Sequence, residues 1–379
     1  MYRGDCVASA RVSRMRPLSD SDLRIADVKA WPIDIALTDH FTISQGSLSV
    51  AENAFVQVTL RCGVVGYGES APFPGLTPED RDGSLRAIEH LKEVVLGQSA
   101  ARLRQLSRQM AEAASGNPAA RCGVETAILD ALCRVVGIPM WVYFGGAGTG
   151  PFETDITLPM LGRDKCLALA DQWYRQGFRI LKVKVGSDVD SDIATIHDIS
   201  SRFPDVSFVV DANQGFSEAD ALVLMKALKK SEITVRMVEQ PVHKIDLDAM
   251  ARLRGEKIFP ICADESVASR KDAAAVVRAG AADIVNIKIM KCGVVEAFDI
   301  ALYALSSGLQ IMFGGMVETR LAMGCSLAMA AGIGPAHTLD LDTPLLMSTN
   351  PLEGGYRYEG AMMVLAEGAG MGIALKGES

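Results

Sequence analysis

The second half of the chain repeats one pattern, a short apolar segment that ends in charged residues. The segments are Ile180–Lys184, Phe208–Asp211, Met237–Glu239, Ile261–Glu265, Ile284–Lys288, Ile311–Glu318 and Leu339–Asp342. One charged residue in each segment marks the spacing: Lys184, Asp211, Glu239, Asp264, Lys288, Glu318 and Asp342 follow one another at steps of 24 to 30 residues, about the length of one strand, one loop and one helix. A nearly continuous apolar run is typical of a parallel strand buried on both faces. The pattern predicts a parallel β/α barrel with its chemistry at the carboxyl ends of the strands.

Composition excludes several other classes of protein. The 379 residues are 49% hydrophobic, which suffices for a large core and two domains. The net charge of −8 argues against a nucleic-acid partner, and no apolar stretch approaches the ~20 residues of a membrane span. The eight cysteines show no metal-binding spacing, which predicts reduced thiols and a cytosolic protein. Residues 1–23 lack the apolar core of a secretory signal and are predicted to be a disordered extension.

The first part of the chain has a different organisation from the repeated units. Residues 24–69 are predicted to form strands, with a turn at 61–63 and a long loop at 39–53. A helical stretch should follow at 78–137 and stop at Gly137. We therefore predict an α+β capping domain over residues 24–147 and 346–379, and a barrel domain over 148–345. The glycine-rich stretch 145–150 has no strand before it and no helix after it, so it is predicted to connect the domains rather than bind phosphate.

Three acidic residues, Asp211, Glu239 and Asp264, end three consecutive predicted strands. Neighbouring strands lie ~5 Å apart, so these carboxylates should converge near one point, where unpaired charges repel each other. A hard divalent cation removes this repulsion, and oxygen ligands favour Mg²⁺. The alternative is that each acid pairs with a nearby lysine in a structural network.

Lysines flank these acids, with Lys182 and Lys184 on one side and Lys288 on the other. Lys182 and Lys184 are two residues apart on one strand and therefore face the same side. A second ammonium group nearby disfavours the charged form of a lysine, which can then act as a base near neutral pH. A metal ion would stabilise the enediolate formed when a proton leaves the carbon next to a carboxylate. Bases on both sides of that carbon predict epimerisation or racemisation.

Asp340 and Asp342 are two residues apart near the end of the last predicted strand. Both should face the same side, across the barrel mouth from the metal ligands. Two carboxylates in that place suit a cation on the substrate, such as an α-ammonium group. The alternative is a helix cap or a salt bridge within the loop.

Together these motifs resemble the enolase superfamily, its muconate-lactonising subgroup, and within it the dipeptide epimerases. The resemblance covers almost the whole chain from about residue 24. It is carried by Lys182-Val-Lys184, Val210-Asp-Ala-Asn213, Glu239-Gln-Pro241, Ala263-Asp-Glu-Ser266 and Asn286-Ile-Lys288. The pair Asp340 and Asp342 points to the dipeptide epimerases, in which such a pair binds the ammonium group of the dipeptide.

The resemblance implies a fold and a set of roles. The fold would be a modified (β/α)8, TIM-like barrel with an α+β capping domain built from the N-terminal region and the C-terminal tail. One Mg²⁺ per subunit would bind the three acids named above, Lys184 and Lys288 would be the acid and base, and Lys182 an auxiliary lysine. The loop at 39–53 would close over the substrate and read its side chain. Further residues implied near the substrate or around the site are Gln45, Leu48, Asn213, Glu265 and Glu318.

One departure from the family bears on specificity. L-Ala-D/L-Glu epimerases tend to carry an arginine in the loop that reads the side chain, to pair with the glutamate carboxylate. Between Asp39 and Leu60 this chain has no arginine or lysine. Because an acidic side chain buried without a cation is costly, the sequence favours dipeptides with neutral or apolar side chains.

The resulting hypothesis is a Mg²⁺-dependent epimerase that inverts the α-carbon of the C-terminal residue of an L,L-dipeptide by two-base 1,1-proton transfer. Three alternatives stay open from the sequence. An N-acylamino-acid racemase or an o-succinylbenzoate synthase would share the metal and the lysines. A dehydratase acting on a hydroxylated amino acid would give an oxo product. A metal-binding barrel without turnover is the non-enzymatic alternative. A homo-oligomer is expected.

Overall fold

The computed structural model describes residues 18–44, 46–148 and 150–377. Most of the extension predicted at residues 1–23, and Gln45, lie outside these ranges. The described chain begins with an antiparallel sheet in the order β1 (Ile25–Ile43), β2 (Gly46–Leu60), β3 (Val65–Ser70). Four helices follow: α1 (Arg81–Val95), α2 (Leu103–Ala113), α3 (Pro118–Val136) and α4 (Met140–Tyr143). As predicted, Gly137 ends α3 in a left-handed conformation.

The region 39–53, predicted as a loop, is instead the far end of the β1–β2 hairpin. Phe41 pairs with Leu48 and Thr42 with Ser47 across it, and the turn lies at Ser44. The prediction was wrong because small polar residues occupy the exposed positions of a strand that does alternate. Ser47 and Ser49 are exposed while Leu48 and Val50 are half-buried. The capping sheet therefore continues through this region as a paired hairpin rather than a loop.

Two glycines let α3 pack directly on the backbone of β3. A Cβ atom at Gly68 would lie 2.0 Å from the carbonyl oxygen of Gly123, and one at Gly66 would lie 2.2 Å from the amide nitrogen of Ala131. Both distances are shorter than any contact a side-chain carbon makes, so only glycine allows this approach. This close packing holds the capping sheet and α3 together as two stacked layers.

The barrel is a parallel sheet with helices outside it. The strands in spatial order from one edge are β5 (Ile156–Leu158), β6 (Ile180–Lys184), β7 (Ser207–Asp211), β8 (Val235–Glu239), β9 (Ile261–Ala263), β10 (Ile284–Ile287) and β11 (Gln310–Phe313). The helices are α5 (Arg163–Arg175), α6 (Val189–Arg202), α7 (Glu218–Lys230), α8 (Leu247–Gly255), α9 (Arg270–Ala279), α10 (Val294–Ser306) and α11 (Arg320–Ile333). The β/α succession predicted from the sequence is confirmed, and this is the TIM-like barrel of the predicted fold class.

The eighth side of the barrel is reduced to one residue. Leu339 bridges Thr154, just before β5, and Phe313 of β11, and so joins the two edges of the sheet. Asp340 and Asp342 thus follow a single bridge rather than standing on a regular strand, and a 3₁₀ turn begins at Thr343. The expected last strand is present only in this minimal form.

The C-terminal tail packs against both parts of the molecule. A short strand before β5, β4 (Phe152–Glu153), pairs with β14 (Met362–Leu365), which forms a hairpin with β13 (Tyr356–Glu359). The strands β12 (Leu352–Gly354) and β15 (Ile373–Leu375) pair with each other. The tail then reaches the capping helices, since the amide of Met371 donates to the Asp130 carboxylate of α3 at 2.7 Å.

Two further expectations can be compared with the described residues. Their seven cysteines are all free thiols, as the absence of spacing motifs predicted. Within the described ranges, no helix has the length and apolarity needed to cross a bilayer.

Glu69 at the end of β3 ties the cap to the barrel. Its buried carboxylate accepts hydrogen bonds from the amides of Thr319 and Ala322, at the start of α11, and from the Thr319 hydroxyl, at 2.7–3.0 Å. Asn53 of β2 donates to the same carboxylate and to the carbonyl of Val317. A carboxylate at a helix N-terminus satisfies amides that have no partner within the helix and interacts favourably with the helix dipole.

Replacing Glu69 with alanine should therefore lower the free energy of unfolding by at least about 3 kcal/mol, because several buried donors lose their acceptor. Urea denaturation followed by circular dichroism measures this. Glu52→Ala is the matched control on the exposed face of β2 and should change stability by no more than about 0.5 kcal/mol. Equal effects in the two variants would contradict the role given to Glu69.

Candidate active site

The interior of the barrel is arranged in layers that alternate between apolar and polar residues. Its floor is a cluster of buried apolar side chains: Ile180, Val209, Met237, Cys262, Ile284 and Met312. Side chains two positions further along a strand point to the same side and lie one level nearer the carboxyl end. On five successive strands those positions hold Lys182, Asp211, Glu239, Asp264 and Asn286. The fold thus places the three predicted metal ligands on one level with Lys182 and Asn286, above an apolar floor.

Strand register places the neighbouring groups side by side. Lys184 pairs with Asp211 across β6 and β7, and Asp211 pairs with Glu239 across β7 and β8. Asp264 follows β9, and Lys288 follows β10. In the strand order of the sheet, Lys184 and Lys288 therefore flank the three acidic residues, as the sequence predicted.

Lys182 is completely buried and contacts three carboxylates. Its Nζ lies 3.0 Å from Asp211 Oδ2, 2.8 Å from Glu239 Oε2 and 2.7 Å from Asp340 Oδ2. Burial alone would lower the pKa of Lys182, but these carboxylates raise it well above its usual value. Asp340, predicted together with Asp342 to lie across the mouth from the metal ligands, is thus linked to Asp211 and Glu239 through one ammonium group.

Asp211 and Glu239 respond differently to this shared cation. Lys184 also contacts Asp211, with its Nζ 2.6 Å from Oδ2. Burial would raise the pKa of Asp211, but Lys182 and Lys184 lower it to about 2. Burial and the neighbouring Asp211 raise the pKa of Glu239 to about 7, against the effect of Lys182. When two acidic groups are held close together in a buried site, the pKa values of the two groups move apart in this way.

Asp264 is held from the opposite side. Lys288 Nζ lies 2.6 Å from its Oδ2 and Lys291 Nζ lies 2.8 Å from its Oδ1. These cations depress the pKa of Asp264 well below its usual range, although burial acts in the other direction. The amide of Asp264 donates to the side-chain oxygen of Gln240 at 3.0 Å, which fixes the backbone where β9 ends.

The donor set suits a hard divalent cation. Asp211, Glu239 and Asp264 are buried carboxylates at the carboxyl ends of adjacent strands, the type of oxygen group that such a cation prefers, and Asn286 orients Glu239 by donating to its Oε1 at 2.7 Å. Glu239 Oε2 accepts no hydrogen bond and has only its ion pair with Lys182. In the described residues, Asp155, Asp340 and Asp342 form the only group of three acids with ligand atoms within 4.8 Å of one another. The three predicted ligands are spread more widely, and each of them is in contact with a lysine.

One small cavity joins the two flanking lysines. It is lined by Lys184, Lys288, Asn213, Asp340, Thr157, Thr343, Gly315 and five apolar side chains, Phe41, Ile43, Phe73, Leu76 and Met316. Its volume of about 20 Å³ holds roughly one water. Ser44 at the hairpin turn donates to the carbonyl of Asn213 at 2.8 Å, so the cap closes this cavity against the barrel.

The two acids after Leu339 lie at different depths. Asp340 lines the cavity, whereas Asp342 is fully buried behind it, and its Oδ2 accepts a hydrogen bond from the amide of Thr157 at 2.6 Å. Burial and the adjacent Asp340 raise the pKa of Asp342 to about 7. The predicted pair is therefore one accessible carboxylate supported by one hidden carboxylate.

The remaining predicted site residues surround this centre. The amide of Asn213 donates to Asp211 Oδ1 at 3.0 Å, and its side chain donates to Glu265 at 3.3 Å. Burial and Asp264 raise the pKa of Glu265 to about 7. Burial raises the pKa of Glu318 to about 8, although its Oε1 accepts from the Met316 amide at 2.7 Å.

The hairpin residues proposed to read the substrate are only partly located. Gln45 lies outside the described residues. Leu48 is half-buried but does not line the cavity, whereas its cross-strand partner Phe41 does. Because neighbouring positions on a strand face opposite sides, Phe41 and Ile43 lie on the same side of β1. This shared orientation could be predicted only if residues 39–53 were recognised as a hairpin.

Four residues of the site were missed by the sequence reasoning: Lys291, Asn286, Thr157 and Asp155. Lys291 and Asn286 lie within or beside the Asn286-Ile-Lys288 motif, so their positions offered a signal. Asp155 and Thr157 precede or belong to the first short strand, β5, which carries no terminal charge of its own. The repeated pattern of apolar segments begins only at the next strand.

The comparisons with known proteins agree with this architecture. Residues 26–145 match the N-terminal domain model of mandelate racemase / muconate lactonizing enzyme, and residues 165–379 match the enolase C-terminal domain-like model. Together they span most of the chain. The chain belongs to the enolase superfamily, in its mandelate racemase / muconate lactonizing enzyme family.

Individual relatives indicate the type of enzyme within this family. It is 38% identical to an aromatic dipeptide epimerase of Herpetosiphon aurantiacus, over 93% of this chain and 99% of that protein. It is 36% identical to an L-Ala-D/L-amino acid epimerase of Populus trichocarpa, over 89% and 82%. A solved dipeptide epimerase from Enterococcus faecalis, complexed with Mg and L-Leu-L-Tyr, superposes with a TM-score of 0.89 at 31% identity, over 93% and 99%. The protein is accordingly an isomerase of the racemase and epimerase type.

Proposed function

We propose that this protein is a Mg²⁺-dependent dipeptide epimerase, with one Mg²⁺ per subunit, that inverts the α-carbon of the C-terminal residue of an L,L-dipeptide. The observation that carries the proposal is the cavity with an amine on either flank and a carboxylate in its wall, formed by Lys184, Lys288 and Asp340. An α-carbon between the two amines can lose its proton to one and regain a proton from the other. The named epimerases among the relatives support this reaction class.

Asp211, Glu239 and Asp264 would hold the cation, which when bound would stabilise the charge that develops on the substrate carboxylate as the α-proton leaves. Lys184 and Lys288 exchange the proton with the α-carbon from opposite flanks. Both now contact a predicted metal ligand at 2.6 Å, so an amine must leave its carboxylate before it can act as a base. Lys182 neutralises the carboxylates from below the cavity.

The free α-ammonium group of the dipeptide would bind Asp340, with Asp342 behind it. Asp340 lines the cavity and is the accessible acid of the pair, since Asp342 is fully buried. Its second contact, with Lys182, holds the carboxylate in place while a substrate cation approaches. A charge-assisted hydrogen bond of this kind selects strongly for substrates with a free amino terminus.

The walls of the cavity favour neutral or apolar side chains. Phe41, Ile43, Phe73 and Leu76 cover it from the capping domain. Among the described residues that line it, the cations are the two lysines assigned to proton transfer. An acidic side chain would be buried there without a partner of its own. The cavity is far smaller than a dipeptide, so a bound dipeptide would also occupy space beyond it, such as the adjoining cavity of about 1000 Å³ that shares Leu76, Asn213 and Met316 with it.

A dipeptide panel with matched N-acetylated forms tests the proposal. In D₂O with Mg²⁺, apolar L,L-dipeptides should exchange the α-proton of the C-terminal residue and give the epimer, as mass spectrometry and chiral chromatography would report. N-acetylation should lower kcat/KM by at least about tenfold, because the ammonium group no longer reaches Asp340. Asp340→Asn should lose activity on the free dipeptides.

Other outcomes of the same panel would redirect the assignment. Equal turnover of acetylated and free forms would favour an N-acylamino-acid racemase. An oxo product from a hydroxylated substrate would indicate a dehydratase. If the protein bound Mg²⁺ but exchanged the α-proton of no substrate, the result would favour a metal-binding barrel without turnover.

A further inference from the structure

Asp155, which has no role in the reaction described above, is the least satisfied polar side chain near the site. It lies between β4 and β5 and is completely buried. Its position is fixed by its backbone, because its amide donates to the carbonyl of Leu339 at 2.8 Å. Neither of its carboxyl oxygens has a hydrogen-bond partner, and Oδ1 of the neighbouring Asp342 has none either. Three buried carboxyl oxygens without a hydrogen-bond partner on two neighbouring residues require a physical explanation.

The geometry brings these oxygens together. One carboxyl oxygen from each of Asp155, Asp340 and Asp342 lies within 4.8 Å of the other two. Asp340 has its partner in Lys182, and Asp342 has one in the Thr157 amide. Asp155 receives no hydrogen bond through its side chain. Of the three acids, Asp155 therefore has the highest free-energy cost of ionisation, because no donor stabilises its charged form.

The charged groups around Asp155 do not offset the negative charge that an ionised Asp155 would add to those of Asp340 and Asp342. The groups that face it are the acids Asp340, Asp342 and Glu239, and the ammonium of Lys182. Lys182 already serves three other carboxylates. The hydroxyl of Tyr358, which lies near Asp342, donates to the carbonyl of Leu341 at 2.6 Å rather than to a carboxylate. Burial and the two neighbouring aspartates raise the pKa of Asp155 well above its usual value.

We propose that Asp155 is a protonated carboxylic acid that donates a hydrogen bond to Asp342 and so positions the carboxylate pair that receives the substrate ammonium group. This inference rests on the proposed function and adds a positioning residue to it. The proton gives a partner to Asp342 Oδ1 and to one oxygen of Asp155. Lys182 is already shared by Asp211, Glu239 and Asp340. An ionised Asp155 would therefore add a negative charge beside Asp340 and Asp342 for which the neighbouring groups supply no further cation.

Two variants of similar size separate the protonated form from the ionised form. Asp155→Asn keeps a neutral side chain with an N–H donor, so KM for a free dipeptide should stay within about threefold of the native value. Asp155→Leu removes the donor, so KM should rise about tenfold or more while kcat changes little. The slow turnover of an N-acetylated dipeptide, which brings no ammonium group, should be affected little by either change.

Infrared spectroscopy tests the proton directly and does not depend on turnover. In the native holoenzyme minus Asp155→Asn difference spectrum at neutral pH, we expect the C=O stretching band of a protonated carboxyl group. A carboxylate band in its place would overturn the proposal, as would a KM for Asp155→Asn as high as that of Asp155→Leu. If the native enzyme turned over no dipeptide at all, the proposed function would fail, while the infrared band would still decide whether Asp155 carries the proton.

Discussion

Replacing Lys184 with alanine should lower epimerisation of a dipeptide by about 10²- to 10⁴-fold and leave hydrogen exchange with solvent intact in only one of the two epimers. The reason is the placement of the amines. Lys184 ends β6 and Lys288 follows β10, with the three strands of the acidic residues between them. Each amine would reach one face of the α-carbon, so the surviving amine would remove and return a proton on its own face. Lys288→Ala should give the opposite preference.

The measurement incubates each purified epimer in D₂O and follows deuterium incorporation and inversion separately. Lys229→Ala, at an exposed position in the last turn of α7, is the control and should behave like the native protein. Exchange of both epimers at equal rates in Lys184→Ala would contradict the two-face arrangement. Exchange that persists in the double variant would exclude the lysines as the bases.

Removal of divalent cations with a chelator should abolish both inversion and exchange, and addition of Mg²⁺ should restore them. An α-proton beside a carboxylate is too weakly acidic for an amine to remove unless the developing charge is stabilised. The fold should survive the treatment, because Lys182, Lys288 and Lys291 contact the carboxylates that the metal would leave. Circular dichroism should therefore remain unchanged while activity disappears.

Calorimetry and thermal unfolding add a readout independent of activity. Mg²⁺ at about 100 times its dissociation constant should stabilise the protein by about 2.7 kcal/mol. Asp264→Asn should lose this stabilisation and the binding heat, while Asp164→Asn, exposed in the first turn of α5, should keep both. Full activity in the chelated protein would rule out the metal-dependent mechanism.

The sequence predicted the barrel well because its signal is local. Each unit from β6 onward carries its own apolar run and its own terminal charge, so Asp211, Glu239 and Lys288 could be assigned to strand ends without tertiary information. Most of the helices between the strands also begin at a local signal, a Ser, Thr or Asp side chain that caps the first turn.

The hairpin and the deeper parts of the site could not be predicted for physical reasons. Residues 39–53 look like a loop because their exposed strand positions hold serines, and only pairing with the opposite strand makes their alternation visible. The different depths of Asp340 and Asp342 depend on the contact between Asp342 and the Thr157 amide, whose chain separation is 185 residues. No local pattern records such a contact.

The single-residue closure at Leu339 has a consequence for how this enzyme can change. The residues just after it are freed from the pleat that dictates side-chain direction on the other seven strands. Under the proposed function, a substitution at Asp340 or Asp342 would alter which molecule is recognised while the strands that carry the two flanking lysines and the three acidic residues keep their register. The choice of substrate would then be open to mutation without a change in the strands of the sheet.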